Sequence, residues 1–124
     1  MATRRQRRVA EQIHRDLSLL LMREVRDPRL GDVTITEVRV TPDLLIARIF
    51  FTVLGNDAER KEAQAGLDSA AGFLRSQLAA QLRLRTVPEL IFELDRSAEY
   101  GQRIEELLSQ IALEDPVEDG SDPE

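Results

Sequence analysis

The spacing of apolar residues along this chain switches between helical and alternating, and the order of those switches limits the fold more than any other feature. Val9, Ile13, Leu17, Leu20 and Leu21 recur at helical intervals, which predicts a helix from about Arg5 to Val25, stopped by Pro28. After the loop RDPRLGD come VTITEVRV and LLIARIFFTV, rich in the branched and aromatic residues that suit strands. In the second stretch Leu45, Ala47, Ile49, Phe51 and Val53 alternate cleanly, and Thr41-Pro42-Asp43 before it reads as a hairpin turn. In the first stretch Val33 and Ile35 are out of phase with Val38 and Val40, which places a bulge near Glu37. The segment LGND offers Asn56 or Asp57 as a helix cap. A helical region follows from about Ala58 to Arg83, then a strand ELIFELD with Leu90, Phe92 and Leu94 on one face. A last helix, from about Ser97 to Ala112, has Tyr100, Ile104, Leu107, Leu108 and Ile111 as its apolar side.

The helical region contains Gly66 and Gly72, and an interior glycine costs about 1 kcal/mol relative to alanine. Leu67, Ala71, Leu74, Leu78 and Leu82 form one stripe at helical spacing, while Phe73 points nearly opposite. A break at Ala70-Ala71-Gly72 would let the two halves turn separately and bring Phe73 to the core, and sharp bends are commonly found at glycine. The expectation is therefore helix, kink, helix.

A chain of 124 residues forms one domain and buries roughly two-thirds of its unfolded surface. With no cysteine, a disulfide framework and a thiolate metal site are excluded, which fits a reducing cytosol. Charged residues fill the N-terminus MATRRQRRVAEQIHRDL where a signal peptide needs an apolar run. No apolar run approaches the ~20 residues of a membrane span. These features predict a soluble, intracellular, cytoplasmic protein. The net charge of −6 belongs to the end of the chain: EDPVEDGSDPE carries six acids and no base, and residues 1–113 hold 17 bases and 17 acids. A folded domain over 1–112 and a disordered acidic tail over 113–124 are expected. Basic charge is concentrated in Arg4, Arg5, Arg7 and Arg8, and in Arg75, Arg83 and Arg85, with no acid between Gly72 and Pro88.

Helix, two-stranded hairpin, helix-kink-helix and third strand is the order of a type II KH domain, an α+β fold that holds single-stranded nucleic acid against a GXXG loop. GXXG is absent, and AAGFLRSQL stands in its place. That segment resembles the alanine-x-glycine kink of the bacterial ribosome-binding factor A family. RDPRL at residues 26–30, VTPDLLIARIF around the hairpin, and LRLRTVPELIFELD followed by Ser97 and Gly101 agree with that family in order and spacing. The resemblance spans about Arg5 to Ile111. It implies a non-catalytic assembly factor that binds free 30S subunits near the decoding region and assists late maturation of 16S rRNA, including its 5′ end. It also implies importance in cold adaptation, and release before translation that is promoted by the GTPase RsgA, with initiation factor 3 implicated. A monomer with no cofactor and no membrane attachment is implied as well. Without GXXG, binding is expected through phosphate contacts and RNA shape rather than base reading.

Each candidate residue has two readings. Arg4, Arg5, Arg7, Arg8 and Arg15 can lay guanidinium groups on phosphates, or form a solvated helix end balanced by Glu11 and Asp16. Arg75, Arg83 and Arg85 follow the kink where a KH-like fold presents RNA, or pair with Glu89, Glu93 or Asp95. Arg29 can contact RNA from an exposed loop, while Asp27 closes the first helix. Ala70, Ala71 and Gly72 form the kink, with packing the favoured role over direct RNA contact. No catalytic constellation is legible: His14 lies at the edge of an apolar helix face without an evident partner, and there is no P-loop, GXSXG or histidine pair. Two other functions remain open. One is a general single-stranded RNA binder, which the shortage of aromatic stacking residues disfavours. The other is a protein-interaction module whose basic helix docks on an acidic partner.

Overall fold

The computed structural model describes residues 2–23, 25, 27–82, 84 and 86–114. Arg83, Arg85 and residues 115–124 of the acidic tail lie outside the described residues. Helix α1 (Arg4–Arg23) leads through a 3₁₀ turn (Pro28–Leu30) to strands β1 (Val33–Val40) and β2 (Ile46–Val53). Helix α2 (Asp57–Gln81), strand β3 (Glu89–Leu94) and helix α3 (Ser97–Glu114) follow. The sheet order is β1-β2-β3, with β1 antiparallel and β3 parallel to β2. A parallel pair needs a long crossover, and α2 supplies it. Among the described residues the result is an α+β, KH-like arrangement of three α-helices and one three-stranded sheet. No helix among the described residues is long and apolar enough to cross a membrane.

Alternation in β2 puts Ala47, Ile49 and Phe51 on the covered face of the sheet, each with no exposed surface. Val9, Ile13, Leu17 and Leu20 of α1 and Ala63, Leu67, Leu74 and Leu78 of α2 pack onto them in one core. The other face carries Arg39, Arg48 and Ile91, exposed, with Phe50 half-buried among them. The bulge is present: pairing shifts between Ile35 and Glu37, so Ile35, Val38 and Val40 all reach the core although their spacing breaks the period of two. Asn56 caps α2 in a reciprocal capping box with Glu59, which satisfies two free donors at once.

Side chains from both helices close the edges of the sheet. The Thr41 N–H donates to the Ile46 carbonyl at 2.9 Å, so the Val40 carbonyl points away from β2; there it accepts from Gln6 Nε2 at 2.9 Å. His14 Nε2 lies 3.0 Å from the Ile35 carbonyl. On the opposite edge the Phe92 carbonyl accepts from Gln64 Nε2 at 2.9 Å. Blocking edges in this way protects a small sheet from pairing with another chain.

Two details correct the sequence reading. Helix α2 runs without interruption through Ala70, Ala71 and Gly72 as one 25-residue helix, so the chain does not break there. Phe73 stays 45% exposed, because the leucine stripe fills the core without it. A Cβ at Gly72 would meet nothing within 4 Å, whereas one at Gly66 would lie 3.0 Å from Leu30 Cδ2 and 3.3 Å from Arg29 Cβ. Close packing under the 3₁₀ turn therefore belongs to Gly66. The second correction concerns Leu45, which is 51% exposed and precedes β2, while Leu44 is buried. Leu44 adopts φ 63°, a left-handed conformation that costs a branched residue about 1–2 kcal/mol; burying its side chain offsets this by about 2 kcal/mol. The Thr41 hydroxyl donates to Asp43 Oδ1 at 2.6 Å, holding the turn and keeping the Asp43 carboxyl below its ordinary pKa.

Candidate nucleic-acid interface

The start of α1 is fixed by two residues. Gln6 N donates to Thr3 Oγ1 at 3.1 Å and Thr3 N to Gln6 Oε1 at 2.8 Å, a second capping box. The amide nitrogen of the same Gln6 side chain holds the Val40 carbonyl, tying the helix end to the hairpin. At about 100° per residue, Arg4, Arg8 and Arg15 share the face opposite Val9, Ile13 and Leu17, and Arg7 flanks them. All five α1 arginines, Arg5 included, are exposed. Arg7 donates to the Ala2 carbonyl at 2.9 Å and Arg15 to Gln12 Oε1 at 3.0 Å. Glu11 and Asp16 do not balance this cluster: among the described residues, no carboxylate forms an ion pair with any of the five. Asp16 instead is buried and accepts from Gln12.

Cations in the first turn of a helix oppose its macrodipole, and α1 has no acid there. Arg4, Arg5 and Arg7 in that turn, with Arg8 beside it, therefore stand where the helix itself disfavours them. A phosphate placed over them would meet both the guanidinium groups and the positive helix end.

The other candidates are differently placed. Arg29 Nη2 lies 2.6 Å from Asp27 Oδ2, and Nε is 3.0 Å from both carboxylate oxygens. The contact lowers the Asp27 pKa and raises that of Arg29. Asp27 caps the 3₁₀ turn rather than closing α1. Arg75 donates from Nη2 to the Val87 carbonyl at 2.8 Å, holding the approach to β3 rather than pairing with Glu89, Glu93 or Asp95. Ala70 and Ala71 are half-buried on α2. His14 is half-buried against the β1 edge, an arrangement that serves structure.

Sequence reasoning passed over Arg39 and Arg48. Their guanidinium carbons lie 5.4 and 5.1 Å from the centroid of the Phe50 ring, within cation–π range. Both also hold carboxylates: Arg39 pairs with Glu37 at 2.6 Å, and Arg48 grips Glu93 through two bonds of 2.6 and 2.8 Å. The Arg48 contact lowers the Glu93 pKa. The signal was available, since strict alternation in IARIFFTV puts Arg48 and Phe50 outward together. The capping box Thr3-x-x-Gln6 was equally readable.

Comparison with known proteins gives a consistent result. The family model for Ribosome-binding factor A matches residues 5–108. Ribosome-binding factor A of Trichlorobacter lovleyi is 48% identical over 124 residues, covering 100% of this chain and 98% of the relative. The crystal structure of ribosome-binding factor A from Thermus thermophilus superposes with a TM-score of 0.67 at 25% identity, covering 74% of this chain and 97% of that one. A homology model of the Thermus thermophilus factor, fitted into the cryo-EM map of a 30S–RbfA complex, gives a TM-score of 0.59 at 26% identity. It covers 70% of this chain and 91% of that one.

Proposed function

The chain belongs to the ribosome-binding factor A family, and from that premise we propose that it is a ribosome assembly factor binding the free 30S subunit through 16S rRNA. The observation that carries this reading is the N-terminal half of α1: exposed arginines, free of carboxylate partners among the described residues, on a helix end locked to the sheet by Gln6. The anchored helix end fixes where these guanidinium groups project from, which suits phosphates whose positions are fixed by a folded RNA. Without GXXG, the chain lacks the backbone clamp for four nucleotides. Recognition therefore rests on the shape of the particle.

By family membership the proposal extends to a non-catalytic, cytoplasmic, monomeric factor acting late in 30S maturation. Assistance to 16S rRNA 5′-end processing, a role in cold adaptation, and release linked to the GTPase RsgA and initiation factor 3 belong to the same proposal. Arg75, Arg83 and Arg85 are secondary RNA contacts in this reading. Arg29 contributes only if it leaves Asp27.

Co-sedimentation of the purified chain with separated 30S, 50S and 70S particles at two salt concentrations tests the proposal. Selective pelleting with free 30S is expected. Equal pelleting with all three particles, or binding to naked single-stranded RNA without pelleting with any, would replace it with a general RNA binder.

A further inference from the structure

Helix α3 is built as an arm. Its base is pinned: Asp95 Oδ1 accepts from Ser97 N at 2.9 Å and Oδ2 from the Thr36 hydroxyl at 2.6 Å, while Glu99 takes Arg60 and Arg96 at 2.5 and 3.2 Å. From Tyr100 to Ala112 every residue is exposed. Tyr100, Ile104, Leu107, Leu108 and Ile111 lie along one side at helical spacing, between 38 and 68% exposed. Amphipathic helices of this length depend on burying their apolar face. Among the described residues, nothing buries this one.

Charge narrows what covers it. Nine of the 23 acids and one of the 17 bases fall within residues 97–124, leaving 16 bases and 14 acids in the preceding residues. Five of those nine acids belong to residues 115–124, so α3 itself carries four acids and one base; against a preceding body that is slightly positive, α3 together with the sequence that follows it is negative. Its last turn has no basic residue to complement the helix dipole, and the acidic segment EDPVEDGSDPE continues from it. RNA phosphate and an anionic membrane would both be repelled by this charge. A second copy of α3 would bring Glu105 and Glu106 toward their own kind. The arginine face of α1 has its apolar side already buried in the core.

We propose that α3 docks its Tyr100–Ile111 stripe in an apolar groove on a basic protein of the small subunit. The helix-in-groove mode supplies affinity, and the acidic flanks supply orientation and on-rate. This inference rests on the proposed binding to 30S and adds a protein contact to the RNA contact made by α1. The two ends of the molecule then meet different chemistries: phosphate at the arginines and cationic protein at the acids.

The test uses the full chain with Leu107→Gln and Leu108→Gln together, which removes apolar contact without changing charge. Both side chains are exposed, 49 and 60%, so the thermal midpoint of the free protein is expected to stay within about 3 °C, as for surface substitutions. Affinity for intact 30S particles should fall at least about tenfold, while affinity for protein-free 16S rRNA stays unchanged. A photo-crosslinker at Leu108, in the otherwise unaltered chain bound to 30S, should label a basic subunit protein. The same group at Ser109, on the opposite side of the helix, should label it far less. Equal binding of the double variant to 30S, or crosslinks only to rRNA, to a second copy or within the chain, would overturn the inference and leave the 30S reading intact. If the unaltered chain fails to bind 30S at all, both fall together.

Discussion

Two groups of arginines in this molecule look alike in the sequence and differ in the fold. Arg4, Arg5, Arg7, Arg8 and Arg15 extend from α1 with no carboxylate partner among the described residues, whereas Arg29, Arg39, Arg48, Arg60 and Arg96 each hold an acid. An arginine already paired with a carboxylate must exchange that contact for a phosphate, gaining little. An unpaired one releases counterions from the RNA and adds its full share. The comparison teaches that basic patches are defined by what the fold leaves unpaired, and that counting cations overstates the surface available to RNA.

The largest expected effect separates these two groups directly. Replacing Arg4, Arg5, Arg7 and Arg8 with glutamine should weaken 30S binding and flatten its log–log salt slope by about 0.7 to 0.9 per arginine, read from filtration binding across a salt series. Next is the support beneath the paired group. Gly66→Leu should lower stability by up to about 3 kcal/mol through overpacking against Leu30 and Arg29, while Gly72→Ala should raise it by about 0.5 to 1 kcal/mol. Urea denaturation of both variants checks this, and a reversed order would restore the kink to Gly72.

Gln6→Ala removes the reciprocal half of the α1 capping box, in which Thr3 N donates to Gln6 Oε1, together with the bond to Val40, and leaves the Thr3 cap itself in place. A loss of about 1 to 2 kcal/mol is expected, together with weaker 30S binding because the arginines lose their anchored helix end. Unchanged affinity in a destabilised variant would show that their rigid presentation does not matter. Acid should produce the smallest effect, acting on the carboxylates held by arginines and on those held by hydroxyl groups, Asp43 and Asp95. Asp27, Glu93 and Asp95 have folded pKa values held below their ordinary ones, the first two chiefly by arginine and Asp95 chiefly by the Thr36 hydroxyl. Their stabilising contribution is therefore complete above the unfolded values near pH 4 and disappears as pH falls through the lower folded values. Urea midpoints should hold from pH 7 to about 5 and drop below about 4. In Arg48→Gln that drop should be slightly smaller.

Much of this was legible beforehand because periodicity reports burial. The stripes of α1 and α2, the alternation of β2 and β3, the bulge beside Glu37 and the cap at Asn56 all follow from local spacing and local chemistry. Leu44 was not legible, since its left-handed conformation is imposed by the turn and by the core beneath it. Phe73 misled because an outward aromatic reads as misplaced, although half-exposed rings are tolerated on helix surfaces. The pairing of Arg48 with Glu93, 45 residues apart, depends on parallel strand register, which no window of sequence contains. The free state of the α1 arginines was left open in the sequence, where Glu11 and Asp16 lie close by; the fold turns Asp16 inward.

The most direct test compares salt slopes on one preparation of free 30S subunits for the unaltered chain, the fourfold α1 glutamine variant, and Arg29→Gln/Arg48→Gln. A flattening of about three units for the α1 variant and less than about one for the paired arginines is expected. Equal flattening by both variants, or a larger effect from Arg29 and Arg48, would contradict the claim that unpaired arginines on α1 form the RNA contact.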